Sequence, residues 1–198
     1  MSEEINPELK FEEYEDILTS AEINQIHSIL CSQNFPWYLS DLTVTPSWHN
    51  EEKDKNTREY LQLVHLFNTP DGVPNSNHIG LSDEILNRFL IATGKSLKKR
   101  YKTKANLQTK IENFLPSQYN TPHIDASYSH YVVLYYPHTT DGDTFIFDKT
   151  ENGYKCIKRI TPKAGKYIIF NGAYYHAGSH PSQNDYRIVI NYNLTLNE

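Results

Sequence analysis

Four residues of this 198-residue chain have types and spacing suited to chemistry: His123, Asp125, His176 and Arg187. One residue separates His123 from Asp125, so on extended chain both side chains point the same way and can chelate one metal. His176 lies 53 residues beyond His123. Two imidazoles and one carboxylate bind one face of a non-haem Fe(II) and leave the other open for substrate and O₂. Arg187, 11 residues past the distal histidine, offers a planar guanidinium suited to a dicarboxylate co-substrate. Each residue also has a plain alternative. A His-x-Asp pair is common by chance, and the chain has nine histidines. Taken alone, the three candidate ligands are evenly balanced between metal binding and chance. Arg187 either points inward and needs an anion, because burying it unpaired is costly, or faces solvent beside Asp185. Strand parity does not decide between these. Elsewhere, His27 reads as a helix-surface residue and His65 and His130 as satisfied strand positions. His49, His78, His138 and His180 read as loop residues.

The elements that must position these groups follow from periodicity. Residues 1–15 read as a loosely held arm. Thr19-x-x-Glu22 is a capping box, and Ile23, Ile26 and Leu30 share one helical face behind it. A strand is expected over 38–44, a loop over 45–60, a strand over 61–67 and a loop over 68–80. A second helix fits 82–93, with Ser82 as cap, Leu81 and Leu86 as staple and Gly94 as stop. From about residue 99 the pattern becomes short β-branched and aromatic runs: 101–109, 131–136, 144–147, 154–160, 166–170 and 186–194. Asp141-Gly142, Asn152-Gly153 and Asn171-Gly172 are turn signals between them. Tyr135-Tyr136 closes the strand after the His-x-Asp loop, and one of the two must face inward. Helices followed by short strands give an α+β, mainly β chain, with the helices packed on one side of a β-sandwich such as an eight-stranded jelly roll.

Size and composition narrow the class. The length suits a single domain spanning 1–198, with 1–98 as support and 99–198 as catalytic core. No apolar run is long enough for a membrane span. Two distant cysteines, Cys31 and Cys156, argue against a disulfide framework and for a reducing, cytoplasmic setting. A net charge of −5 gives no general pull toward nucleic acid. The charge is uneven, however: Lys95, Lys98, Lys99, Arg100, Lys102 and Lys104 form a basic stretch. That stretch is either a solvated helix end and strand edge or a patch for an anionic substrate or nucleic acid.

Taken together, these segments resemble the 2-oxoglutarate/Fe(II)-dependent dioxygenases, in particular the prolyl-4-hydroxylase-like branch and its small phage-encoded members. The likeness spans Lys104 to Asn193. It runs through Ala105-Asn106-Leu107, His123-Ile124-Asp125, Val133-Leu134-Tyr135-Tyr136 and Asp141-Gly142-Asp143-Thr144-Phe145. It continues through Pro162-Lys163-Ala164-Gly165, Tyr175-His176-Ala177-Gly178 and Arg187-Ile188-Val189-Ile190-Asn191. Phe35-Pro36-Trp37-Tyr38 adds a less specific match. The resemblance implies a double-stranded β-helix (jelly roll) with N-terminal helices against one sheet. It implies His123, Asp125 and His176 as iron ligands, and Arg187 as the residue that holds the distal carboxylate of 2-oxoglutarate. Tyr136 and Asn106 are weaker carry-overs as co-substrate contacts. Fe(II), 2-oxoglutarate and O₂ are the implied cofactors, with ascorbate an optional addition. The implied activity is hydroxylation of a C–H bond in a small-molecule or peptidyl substrate. Two departures stand out: Asp141-Gly142-Asp143-Thr144 replaces the usual Gly-Gly-x-Thr, and Arg187 stands where many prolyl hydroxylases have lysine, which loosens the link to prolyl substrates. Rival readings are a nucleic-acid demethylase of the AlkB type, a cupin-type metal enzyme and a non-catalytic β-sandwich binding module.

Overall fold

The structure is a computed structural model that describes residues 11–41, 43, 55–151 and 153–197. Most of the expected arm, the last part of the strand expected over 38–44, His49 and most of the 45–60 loop lie outside the described residues, as does Asn152 of one turn signal.

Helix α1 (Ser20–Leu30) forms where the capping box places it. The Glu22 carboxylate accepts the Thr19 backbone N–H at 2.8 Å, and the Thr19 hydroxyl accepts the Glu22 N–H at 3.3 Å. Helix α2 (Ile79–Thr93) starts earlier than its cap signal. Ser82 is not the cap: it lies inside the helix, fully buried, and its carbonyl accepts the Tyr192 phenol at 3.0 Å. The residue at the cap is His78, which makes no side-chain capping bond. Packing on the sheet has overridden the local capping preference, and Ile79 and Leu81 extend the apolar face by one turn. Gly94 ends the helix in the left-handed conformation, as expected.

Among the described residues ten strands make two antiparallel sheets. They are β1 (Phe11–Tyr14), β2 (Tyr38–Ser40), β3 (Gln62–Asn68), β4 (Leu97–Thr109), β5 (Tyr131–Tyr135), β6 (Thr144–Thr150), β7 (Gly153–Ile160), β8 (Tyr167–Asn171), β9 (Tyr175–Gly178) and β10 (Tyr186–Leu196). The major sheet runs β1-β8-β5-β10-β4-β3-β2 and the minor sheet β7-β6-β9. The expected loose arm is corrected over its described part. Phe11–Tyr14 pairs with β8, and its acids meet lysines: Glu12 with Lys95 at 3.0 Å, Glu13 with Lys158 at 2.6 Å and Lys166 at 3.1 Å. Strand β9 is not among the strands expected from the sequence, because four residues with a terminal glycine carry no visible alternation.

Strand parity sorts the major sheet into two faces. Ile188, Ile190, Tyr192 and Leu194 of β10 pack with Val133 and Tyr135 of β5 against Ile85, Phe89 and Leu30 of the helices. Tyr167 and Tyr192 send their phenols to helix α2, onto the carbonyls of Ile85 and Ser82, each at 3.0 Å. Part of the tyrosine richness therefore serves to fasten a helix to a sheet. On the other face, Val132, Leu134, Tyr136, Ile168, Phe170 and Val189 meet Ile146 and Ile160 of the minor sheet. The result is a double-stranded β-helix without barrel closure, and the cavity between its sheets holds the candidate site. No helix among the described residues is long and apolar enough to cross a membrane.

Candidate metal and carboxylate site

His123, Asp125 and His176 converge, with one potential ligand atom from each lying within 4.8 Å of the others. Backbone pairing accounts for the convergence across 53 residues. His123 and His176 form an antiparallel bridge: His123 N–H donates to the His176 carbonyl at 3.1 Å, and His176 N–H returns the bond at 2.9 Å. Strand β9 is itself held by β6 through Ile146 opposite His176. The distal histidine thus lies on β9, the edge strand of the minor sheet, and the His-x-Asp segment bridges to that edge.

Second contacts orient each ligand. Nδ1 of His123 lies 3.0 Å from the Thr121 carbonyl, so that nitrogen carries the proton and Nε2 keeps a lone pair for a metal. Asn191 donates from Nδ2 to Oδ2 of Asp125 at 2.9 Å. Nε2 of His176 lies 3.5 Å from the same oxygen. Burial, reinforced by the nearby His176, pushes His123 down to about 4. Burial opposes the charged form of Asp125, but the His176 contact and the Lys102 ammonium outweigh it and hold the carboxyl well below its usual range. A neutral imidazole and an ionised carboxylate are the protonation states a metal requires. Buried polar atoms without hydrogen-bond partners also cluster here, at both amide atoms of Asn120, Oδ1 of Asn191 and Nδ1 of His176. Buried polar groups are seldom left so, and this donor and acceptor set fits a metal with bound oxygen ligands.

Arg187 is only 2% exposed and shares the cavity with the three ligands. The solvent-facing alternative is thereby excluded. Its partners are neutral oxygens: Nε donates to the Gly142 carbonyl at 2.8 Å, Nη1 to Gln108 Oε1 at 2.8 Å and Nη2 to Thr144 Oγ1 at 2.7 Å. Two glycines make room for it. A Cβ on Gly142 would lie 2.7 Å from Arg187 Cδ and 2.9 Å from the Ser179 carbonyl; one on Gly178 would lie 3.0 Å from Nη1. The Asp141-Gly142 turn signal thus carries a second meaning, close approach of an arginine. Asp141 itself closes the loop behind the site, accepting the N–H groups of Ser182, Gln183 and Asn184 at 2.8, 2.9 and 3.0 Å.

Of the two weaker candidates, Asn106 lines the cavity. Tyr136 lies one step behind it, fully buried, with its phenol donating to Thr144 Oγ1 at 2.8 Å. Tyr136 is the inward member of its pair, and Tyr135 faces the helices. The sequence reading missed four site residues. Gln108 and Thr144 hold the guanidinium. Glu59 joins two loops at the cavity, accepting Thr43 N–H at 2.7 Å and the Thr121 hydroxyl. Lys104 lines the cavity from β4, and burial together with Lys102 pushes its ammonium down to about 8. Parity along β4 would have found Lys104 and Gln108, since both share the face of Asn106. Glu59 had no local signal. The basic stretch divides: Lys95 and Arg100 pair with Glu12 and Asp83, while Lys102 lies 4.0 Å from Asp125.

No family model matches the sequence, and no curated protein matches it. Solved structures do match. An oxidoreductase of the 2OG-Fe(II) oxygenase family from Burkholderia pseudomallei superposes with a TM-score of 0.62 at 13% identity, covering 92% of this chain and 84% of that one. A prolyl hydroxylase from Trichoplax adhaerens, solved with a hypoxia inducible factor peptide, gives 0.60 at 13% identity over 94% and 84%. The epimerase SnoN, solved with Fe3+, alpha ketoglutarate and nogalamycin RO, gives 0.52 at 11% identity over 93% and 78%. The cavity between the sheets, with its buried arginine and converging His, Asp and His, therefore lies in a chain that has the fold of the 2-oxoglutarate/Fe(II) oxygenases.

Proposed function

We propose that this protein is a 2-oxoglutarate/Fe(II)-dependent oxygenase that hydroxylates a C–H bond of a small-molecule or peptidyl substrate. The observation that carries the reading is the joint placement of the triad and the buried guanidinium in one cavity. His123, Asp125 and His176 would hold Fe(II), which supplies the oxidative decarboxylation of 2-oxoglutarate to succinate and CO₂ and the oxidation of the substrate.

The chain's own residues bind and orient. Arg187 takes the distal carboxylate of the co-substrate, because a buried cation whose hydrogen-bond acceptors are all neutral gains from a directly bonded anion. Thr144 Oγ1 accepts from both Tyr136 and Arg187, which uses both lone pairs and turns its proton toward the cavity as a further donor. Gln108 gives its oxygen to Arg187, leaving its amide N–H groups to the cavity. Asn191 fixes the rotamer of Asp125 and the Thr121 carbonyl fixes the ring of His123. Leu134 and Val189 form an apolar wall of the cavity and limit water.

The test is O₂ uptake and succinate release with added Fe(II), 2-oxoglutarate and candidate substrates. Stoichiometric, iron-dependent succinate formation is the expected result. Absence of 2-oxoglutarate binding to the Fe(II)-loaded protein would overturn the reading.

A further inference from the structure

A second cation lies in the cavity at a distance from Arg187. Register fixes its place: Arg187 pairs with Gln108, whereas Lys104 lies four residues away on β4, opposite Asn191. At about 3.3 Å per residue this is roughly 13 Å along the strand. Five carbons joined by bonds of about 1.5 Å reach only roughly 5 Å, less than half of that backbone separation. Lys104 stands opposite Asn191, whose amide holds the Asp125 carboxylate at 2.9 Å.

Among the described residues the Lys104 ammonium has no hydrogen bond and no salt bridge, only longer-range attraction to Asp125. Lys102 already stands 4.0 Å from Asp125 and repels Lys104. A half-buried ammonium in that position is costly unless an anion arrives. An aromatic pair lies further back along the same strand. The β4–β10 register slips between Asn193, opposite Lys102, and Leu194, opposite Arg100, which leaves Tyr101 as a bulge. Its ring packs on Tyr128, three residues after Asp125, with centroids 4.4 Å apart.

We propose that Lys104, which lines the cavity beside Asp125 and Asn191, is the substrate-recognition cation, and that the substrate carries an oxyanion, a carboxylate or phosphate. This rests on the oxygenase reading above and deepens it.

Inorganic phosphate is the probe. Protein loaded with Mn(II) and saturated with 2-oxoglutarate is titrated with phosphate, and the ³¹P relaxation enhancement by Mn(II) is followed. Saturable enhancement is expected in the wild type, weakened at least about tenfold in Lys104→Met and restored in part in Lys104→Arg. Lys155→Met, which removes an exposed lysine of β7, should leave it unchanged. Acetate should compete. Mn(II) and 2-oxoglutarate binding, measured by water-proton relaxation, should persist in all variants. If they bind but phosphate behaves identically in Lys104→Met, or equally poorly in Lys155→Met, the substrate inference alone falls. If they do not bind at all, the oxygenase reading falls and takes this inference with it.

Discussion

Replacing Gly142 by alanine should weaken 2-oxoglutarate binding without loosening the metal site. The added Cβ would stand 2.7 Å from Arg187 Cδ and 2.9 Å from the Ser179 carbonyl. Ordinary carbon contacts lie at about 3.5–4.0 Å, so the arginine stem must move by roughly 1 Å. Its three hydrogen bonds span 2.7–2.8 Å, and a shift of that size takes them to or beyond the useful limit. The Gly142 carbonyl that receives Nε is displaced with it. A charge-assisted bond to the co-substrate is worth about 1.5–3 kcal/mol, so mis-aiming the guanidinium should raise the 2-oxoglutarate Kd by roughly 10- to 150-fold. The assay is anaerobic calorimetric titration of the Fe(II)-loaded variant, with Fe(II) affinity as the internal control, since none of the three ligands touches Gly142. A folded Gly142→Ala protein with wild-type 2-oxoglutarate affinity would refute the argument that this glycine exists to admit Arg187.

Other substitutions test other parts of the account. Asn191→Leu removes the amide that holds Asp125 at 2.9 Å and should weaken metal binding by about 10- to 100-fold in a competitive chelator titration. Phe89→Ala removes a fully buried ring that packs 5.5 Å from Tyr167 and 5.6 Å from Tyr14, and should cost about 3–5 kcal/mol in urea denaturation. His138 is pushed down to about 4, chiefly by burial, with its Nε2 on the Tyr186 carbonyl opposing. Its folded pKa lies below the unfolded one, so the stability it contributes is complete above about pH 6.5 and is lost as pH falls toward 4. His138→Gln should flatten that limb of the stability–pH curve, and an unaltered limb would count against it.

Local signals in the sequence were strong wherever structure is locally determined. The Thr19–Glu22 box, the Gly94 stop and the strands around Ile188 follow from side-chain chemistry within a few residues, and the folded chain keeps them. Failures arose where distant packing decides. Ser82 looks like a cap, but its carbonyl serves Tyr192 from another layer, so the helix begins earlier. Phe11–Tyr14 looks like an arm because its partners, β8 and three lysines, are more than 80 residues away in sequence. The candidate ligands were legible as types and spacing. Their meeting depends on the reciprocal His123–His176 backbone bonds, which no local pattern announces. Thr144 and Glu59 were invisible as contacts for the same reason, since each acts on a residue 43 or more positions away, whereas strand parity alone could have singled out Gln108.

The most direct measurement is the stoichiometry of anaerobic Fe(II) binding to the wild type and to His176→Ala, followed by 2-oxoglutarate. The account predicts one iron and one 2-oxoglutarate per wild-type chain, with both lost or severely weakened in the variant. Iron bound as tightly by folded His176→Ala as by the wild type would contradict it.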